Sequence, residues 1–264
     1  FALNDFKPDQ PQFKRYKFLP NYMDTSLIDE KPILPVSVRE TLSKVYYKKE
    51  SKSEKRIVEG YKISGIDQVL ETDGIDAIVK EVFQEISIFD NNITLLFHNF
   101  ISPLSSTNAV NFYKWYLSDT VNIDSDRFIK LDFAPFNSRD VGFTGTLYIS
   151  TDGDYPVKRA ILRAPKKINI NFVDELIIHQ DFKKEGPHLW IPEEQRMAID
   201  LSVLSSVKFY VDKSRTFSKI EINKPMDSIH FIDAPVAYVK DYEDRPNTFW
   251  DINRKDANQK NYRM

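Results

Sequence analysis

The sequence predicts an α+β fold that is mainly antiparallel β: hairpins build a single highly curved sheet, and a helix packs on it. Three observations predict it. Phe143, Leu147 and Ile149 alternate with Thr144, Thr146, Tyr148 and Ser150, the period of two that marks a half-buried strand. Asp152-Gly153-Asp154 follows, a hairpin signal because glycine takes positive φ in tight turns, and Pro156 then opens a return strand, Val157 to Arg163. Finally, Ile75, Ile78, Val79, Val82, Phe83 and Ile86 recur at helical spacing, with Asp73 as N-cap and Asp76 adding negative charge to the first turn.

The other elements follow in order. Residues 1–35 are broken by prolines and carry aromatics between charges, which predicts an extended N-terminal arm lying against the main body. Lys14, Arg15 and Lys17 beside Tyr16 and Phe18 have the composition of a stacking site for nucleic acid, but the stretch is short and the chain nearly neutral. Val36 to Tyr47 fits a helix or a strand. A strand is preferred because Ile57 to Gly65 reads as its partner, across a charged loop, Lys48 to Arg56. The 73–86 helix comes next. Its apolar face has two readings, packing on the sheet or lining an apolar ligand groove with Val79, Val82, Phe83 and Ile86.

Residues 88–91 and 101–104 read as loops. Phe112–Leu117 and Arg127–Phe133 form a hairpin through residues 122–126. After Arg163, strands are expected from Leu176 to Phe182, from Trp190 to Leu201 through a Lys184-Glu185-Gly186-Pro187 turn, from Val207 to Val211, and from Phe217 to Ile222. Apolar residues on both faces, Val157 and Ile161 against Ala160 and Leu162, ask for cover on more than one side.

Composition narrows the class. The chain is 41% hydrophobic, enough for a core, and its 37 Lys and Arg against 39 Asp and Glu give no global attraction to nucleic acid. It holds no cysteine, so disulfides, thiolate metal sites and cysteine nucleophiles are excluded. No run reaches the ~20 apolar residues of a spanning helix. The chain begins at Phe1 rather than Met and is read as a piece of a longer protein.

Catalytic patterns are missing. His98, His179, His188 and His230 have no metal-ligand spacing. Asp124-Ser125-Asp126 and Asp152-Gly153-Asp154 complete no calcium loop and sit where turns are needed. GxSxG, Walker and GxGxxG motifs are absent. Glu193-Glu194 reads as exposed, and Trp115, Trp190 and Trp250 read as packing residues before sugar platforms. No catalytic residue, metal or cofactor is expected.

An ordered set of short stretches carries a family resemblance: Leu34-Pro35-Val36, Glu40 to Ser43 with Tyr46-Tyr47, Ile63-Ser64-Gly65, Ile88 to Asn91, Ile101-Ser102-Pro103, Phe112 to Leu117, Phe143-Thr144-Gly145, Ile168 to Val173 and Leu189-Trp190, with Phe249-Trp250 and Arg254 beyond them. In these the chain resembles an uncharacterised group of Gram-negative outer-membrane proteins, carried as a domain of unknown function. Their members join a carboxypeptidase-regulatory-like β-sandwich, this domain and a transmembrane β-barrel. More distantly, the hairpin run is similar to lipoprotein-sorting and lipoprotein-carrier proteins, unclosed half-barrels with helices over the concave face and an apolar cavity.

The resemblance implies a periplasmic location at the outer membrane. The strands predict a sheet domain at 36–225. After Pro225 the alternation is lost, and 226–264 reads as a linker, its polar tail a linker or short surface helix. The resemblance directs this linker toward a covalently linked membrane barrel. The leading expectation is a non-enzymatic domain that binds a lipid, lipoprotein or other apolar ligand, with one or two helices on the concave face and no nucleic-acid partner. The alternatives are a structural spacer or interaction module, and a glycan-binding or hydrolytic domain.

Overall fold

A computed structural model of the chain describes residues 1–4, 6–7, 14–48, 50–51, 53–65, 81–82, 84–124, 126–165, 170, 172–204, 207–224 and 234–254. The fold is mostly antiparallel β with few helices. Seven strands follow one another as a meander: β8 (Tyr113–Ile123), β9 (Asp126–Pro135), β10 (Thr144–Ser150), β11 (Val157–Arg163), β12 (Val173–Gly186), β13 (Leu189–Leu204) and β14 (Val207–Thr216). N-terminal strands β1 (Ala2–Leu3), β2 (Asp24–Thr25) and β3 (Pro32–Pro35) extend the sheet past β14. The result is an open ten-stranded sheet in the order β2-β3-β1-β14-β13-β12-β11-β10-β9-β8, antiparallel throughout.

Register explains which face is dry. Leu162 lies opposite Ile178, Ile178 opposite Met197, and Ile199 between Leu176 and Val211. Residues paired across strands share a face, so these rows make one apolar surface. It is covered by Val82, Ile88, the hairpin of β6 (Asn92–Leu95) and β7 (His98–Ile101), and the short helix α1 (Ala109–Phe112). Phe100 of β7 stacks on Phe143 with ring centres 4.5 Å apart, and both are fully buried. Beside them the Tyr113 hydroxyl donates to the Ile101 carbonyl and accepts the Phe143 N–H. The opposite face has a smaller cluster of Ala2, Ile33, Ile177, Ala198 and Tyr210 under Leu27 and Ile28. Elsewhere that face is charged: Arg159 pairs with Asp181 directly across the strands at 2.5 and 3.1 Å, and Arg196 pairs diagonally with Asp212 on the neighbouring strand. The second face is therefore covered only locally, where Leu27 and Ile28 lie over its apolar cluster, and carries ion pairs elsewhere.

Beside the large sheet stands a long hairpin, β4 (Ser37–Lys48) and β5 (Ser53–Gly65), joined on its β5 side by β15 (Val236–Tyr238) in parallel. The C-terminal helix α2 (Asn247–Asn253) packs on it through Trp250, 3% exposed. Gly60 makes room for this helix: a Cβ there would lie 2.7 Å from Phe249 Cε1. Arg254 locks the helix end with a bidentate pair to Glu40 at 2.7 and 2.6 Å.

Several expectations change. The strand chosen over a helix at 36–47 is present, but both strands run further than expected and most of the charged loop at 48–56 is strand. The loops at 88–91 and 101–104 flank a hairpin that the sequence concealed. Its turn residues Leu96 and Phe97 take φ of 52° and 62° without the glycine or asparagine that normally marks such a turn. The β10–β11 connection is a six-residue loop, 151–156, in which Tyr155 as well as Gly153 has positive φ. The turn expected at 184–187 narrows to Pro187-His188. Phe217 to Ile222 is not a strand; β14 ends at Thr216, and Phe217 N–H still reaches the Glu193 carbonyl. The described part of residues 1–35 supplies three strands of the sheet and a 3-10 turn at Leu19–Tyr22, and residues 234–254 wrap β4 and β5. Of the helix predicted over 73–86, residues 73–80 and 83 lie outside the described residues; Glu81 and Val82 are helical, and Gln84 to Ile86 are not.

The tightest strand contact is at Gly145. A Cβ there would overlap the Ile161 carbonyl oxygen and come within 3.0 Å of the Phe133 ring. Gly145→Ala is expected to destabilise the fold by about 1–3 kcal/mol, measured as a lower urea midpoint. An unchanged midpoint would mean that β10 and β11 do not approach this closely.

Candidate functional site

The apolar face of the sheet contains one polar row. Leu131, Leu147, Ala160, Gln180, Gln195 and Arg215 are successive cross-strand partners from β9 to β14. Lys213, opposite Met197, stands beside this row. A polar group turned toward a core must find a partner or its burial is costly. Gln180 Nε2 is satisfied within the sheet, donating to the Asp181 and Glu194 carbonyls at 3.2 Å each, and the others find partners in one short segment. Lys213 Nζ donates to the Gln84 carbonyl at 2.7 Å, and Gln195 Nε2 to the Ile86 carbonyl at 3.3 Å and to Gln180 Oε1 at 2.7 Å. Between them Glu85 pairs with Arg215 and, at 2.6 Å, with Arg56 of β5. The row therefore fixes residues 84–86 on the sheet and ties β5 to it.

This bears on the predicted groove. Val82 is fully buried in the main cluster, and Ile86 packs against that cluster. Val79 and Phe83 lie outside the described residues. Leu95, Phe100, Phe143, Leu162, Ile178 and Ile199 are likewise without exposure, so the described part of this face is filled.

An open cleft lies elsewhere, where the tips of β8–β9 and β12–β13 gather. It holds about 240 Å³ and is lined by Asp124, Asp126, Lys158, Lys184, Trp190 and Glu193, among others. Lys184 pairs with Asp152 at 3.0 Å, His188 with Asp154 at 2.8 Å, and Lys158 donates to the Phe182 carbonyl at 2.9 Å. The turn aspartates at 152 and 154 thus tie neighbouring hairpin tips together. The cleft offers carboxylates, ammonium groups and the Trp190 ring, a set suited to a polar ligand with one apolar face.

A second, wholly apolar groove of about 220 Å³ lies between β1, β3 and the segment after residue 14, lined by Leu3, Phe6, Tyr16, Phe18, Leu19 and Leu34. Among the described residues no cluster of His, Asp and Glu could hold a metal ion. His98 bonds the Leu96 carbonyl. His179, on the charged face, is held below the usual imidazole range by burial and by the Arg163 charge. His230 lies outside the described residues. Trp115 is half-buried against the main cluster. On β13, burial and the charge of Asp29 push the Asp200 carboxyl up to about 6, although Asn4 Nδ2 donates to it at 2.6 Å.

The profile of a Family of unknown function (DUF5686) matches residues 12–219, more than half of the chain. The chain belongs to this family. No curated protein and no solved structure matches it. The DUF5686 match runs from the N-terminal segment through the end of β14, so it takes in the polar row, the cleft and the filled face; α2 and β15 lie beyond it.

From sequence alone Gln180 has only a place in a strand, and Gln195, Lys213 and Arg215 have no assigned role. A signal was there: Gln180 is in phase with Leu176, Ile178 and Phe182, Gln195 with Met197 and Ile199, and Lys213 with Phe209 and Val211. A polar residue in phase with a core face marks either an edge or a buried bond.

Lys213 gives this DUF5686 domain a testable pH signature. Burial, reinforced by the Arg56 charge, pushes its ammonium down to about 8 from 10.5. Between those values the unfolded chain binds more protons, so stability should rise as pH climbs from about 8 to 10.5. The gain should be about 2 kcal/mol after discounting for partial exposure. Subtracting the urea-unfolding profile of Lys213→Met from that of the wild type should isolate it. A flat difference would place the Lys213 ammonium in water.

Proposed function

We infer that this domain is a non-catalytic interaction module on the periplasmic side of an outer-membrane protein, spacing an N-terminal sandwich from a membrane barrel. The observation that carries the reading is the filled apolar face. Among the described residues, side chains at zero exposure from Val82 to Ile199 fill this face, which favours a spacer over a carrier. The open ten-stranded sheet with its covered face fits an unclosed half-barrel. The location rests on the resemblance carried by the ordered motifs.

For contacts, β4 is the outer strand of its sheet and twelve residues long, with Val45 41% and Tyr47 63% exposed. Such an edge can accept another strand. A second reading, glycan binding, is favoured by the cleft that sets Trp190 among Asp124, Asp126 and Glu193.

Two titrations and one stability measurement separate these readings. A fluorescent fatty acid should show no saturable binding, and Leu95→Ala should cost about 2–5 kcal/mol of stability, as in a packed core. Stoichiometric fatty-acid binding by the wild type would restore the carrier reading. A saturable response to a soluble oligosaccharide, lost in Trp190→Ala, would favour the glycan reading instead.

A further inference from the structure

The segment Lys14–Tyr22 reads KRYKFLPNY, three cations and no acid in a chain of net charge −2. Lys14, Arg15 and Lys17 are exposed, and so is Lys7. Among the described residues none of the four is held in an ion pair; Arg15 lies over the Tyr16 ring, 4.7 Å from its centre. The aromatics are exposed too, Phe18 by 54% and Tyr16 by 37%. Phe18 packs edge-on against Tyr16 at 5.9 Å and against Tyr22 at 6.1 Å. Beneath them is the apolar groove walled by Leu3, Phe6, Leu19 and Leu34.

We propose that this basic, aromatic knob is a docking surface for an anionic lipid bilayer. The cations meet headgroup phosphates, while Phe18 and Tyr16 enter the interfacial layer, where rings with one wet and one apolar side settle. Charge complementarity selects the occupant: the patch carries three cations and no acid, whereas the rest of the chain is net acidic. Ring geometry argues against a single-stranded nucleic acid. Bases need open ring faces in succession, whereas these rings meet at 76° and 84° and form a compact wedge. The inference stands apart from the spacer reading and does not depend on it.

Vesicle co-sedimentation tests it, with phosphatidylcholine alone against phosphatidylcholine mixed with phosphatidylglycerol. The wild-type chain should bind the anionic vesicles and not the neutral ones, and lose binding in about 1 M salt, where screening falls to ~3 Å. Each cation near a charged surface is worth roughly fivefold. A chain carrying Lys14→Glu, Arg15→Glu and Lys17→Glu should therefore bind at least about 100-fold more weakly. Phe18→Ser should weaken binding with the salt dependence kept. All four positions are exposed, so unchanged circular dichroism and thermal midpoint are expected and verify folding. The proposal is overturned if the wild type ignores anionic vesicles, if it binds neutral ones equally, or if the triple variant binds as the wild type does. A single-stranded oligonucleotide bound in place of vesicles would overturn it too.

Discussion

The fold depends on a polar row in an otherwise apolar sheet face. Gln180, Gln195 and Arg215 sit in register with Leu131, Leu147 and Ala160, and Lys213 stands beside them. Buried in this way, they must be bonded. Gln180 is bonded within the sheet, to the Asp181 and Glu194 carbonyls, while Gln84, Glu85 and Ile86 supply two carbonyls and a carboxylate to Lys213, Gln195 and Arg215. Once that segment is placed, Val82 and Ile88 land on the apolar rows on either side, and the β6–β7 hairpin follows with Phe100 on Phe143. The row costs some hydrophobic area and in return specifies where the cover lies.

The meander was legible because its strands alternate cleanly and its turns carry Asp, Gly and Pro. Choosing a strand for 36–47 succeeded because a partner of matching length followed it. The β6–β7 hairpin was hidden for a definite reason: tertiary burial of Leu96, 3% exposed, holds a left-handed turn that its residue types do not advertise. Phe217 to Ile222 failed in the opposite way. The alternation is present, but Ile220 and Ile222 are 36% and 44% exposed and β13, the strand beside β14, is already paired on both edges. A period of two marks a chain that could pair, and the available edges decide whether it does. The two clefts were not legible at all, since each gathers residues from hairpin tips or segments distant in the chain.

A filled face moves the search for function to the periphery. What is open in this DUF5686 domain lies at strand ends and edges: the charged cleft, the β4 edge and the basic, aromatic knob beside β1 and β3. They are the surfaces at which the proposed contacts would be made. A sheet whose interior is committed to packing can be stiff, and stiffness suits a part that sets distances between neighbours.

Whether the cover is core or lid is the point on which this account turns, and native-state hydrogen exchange tests it most directly. If the cover is core, the amides of Phe100 and Ile101 should open with the same free energy as those of β12 and β13, within about 1 kcal/mol, because sheet and cover unfold together. If β6 and β7 instead open several kcal/mol below the sheet, the cover is a lid over a space that can be emptied, and the filled-face account is wrong.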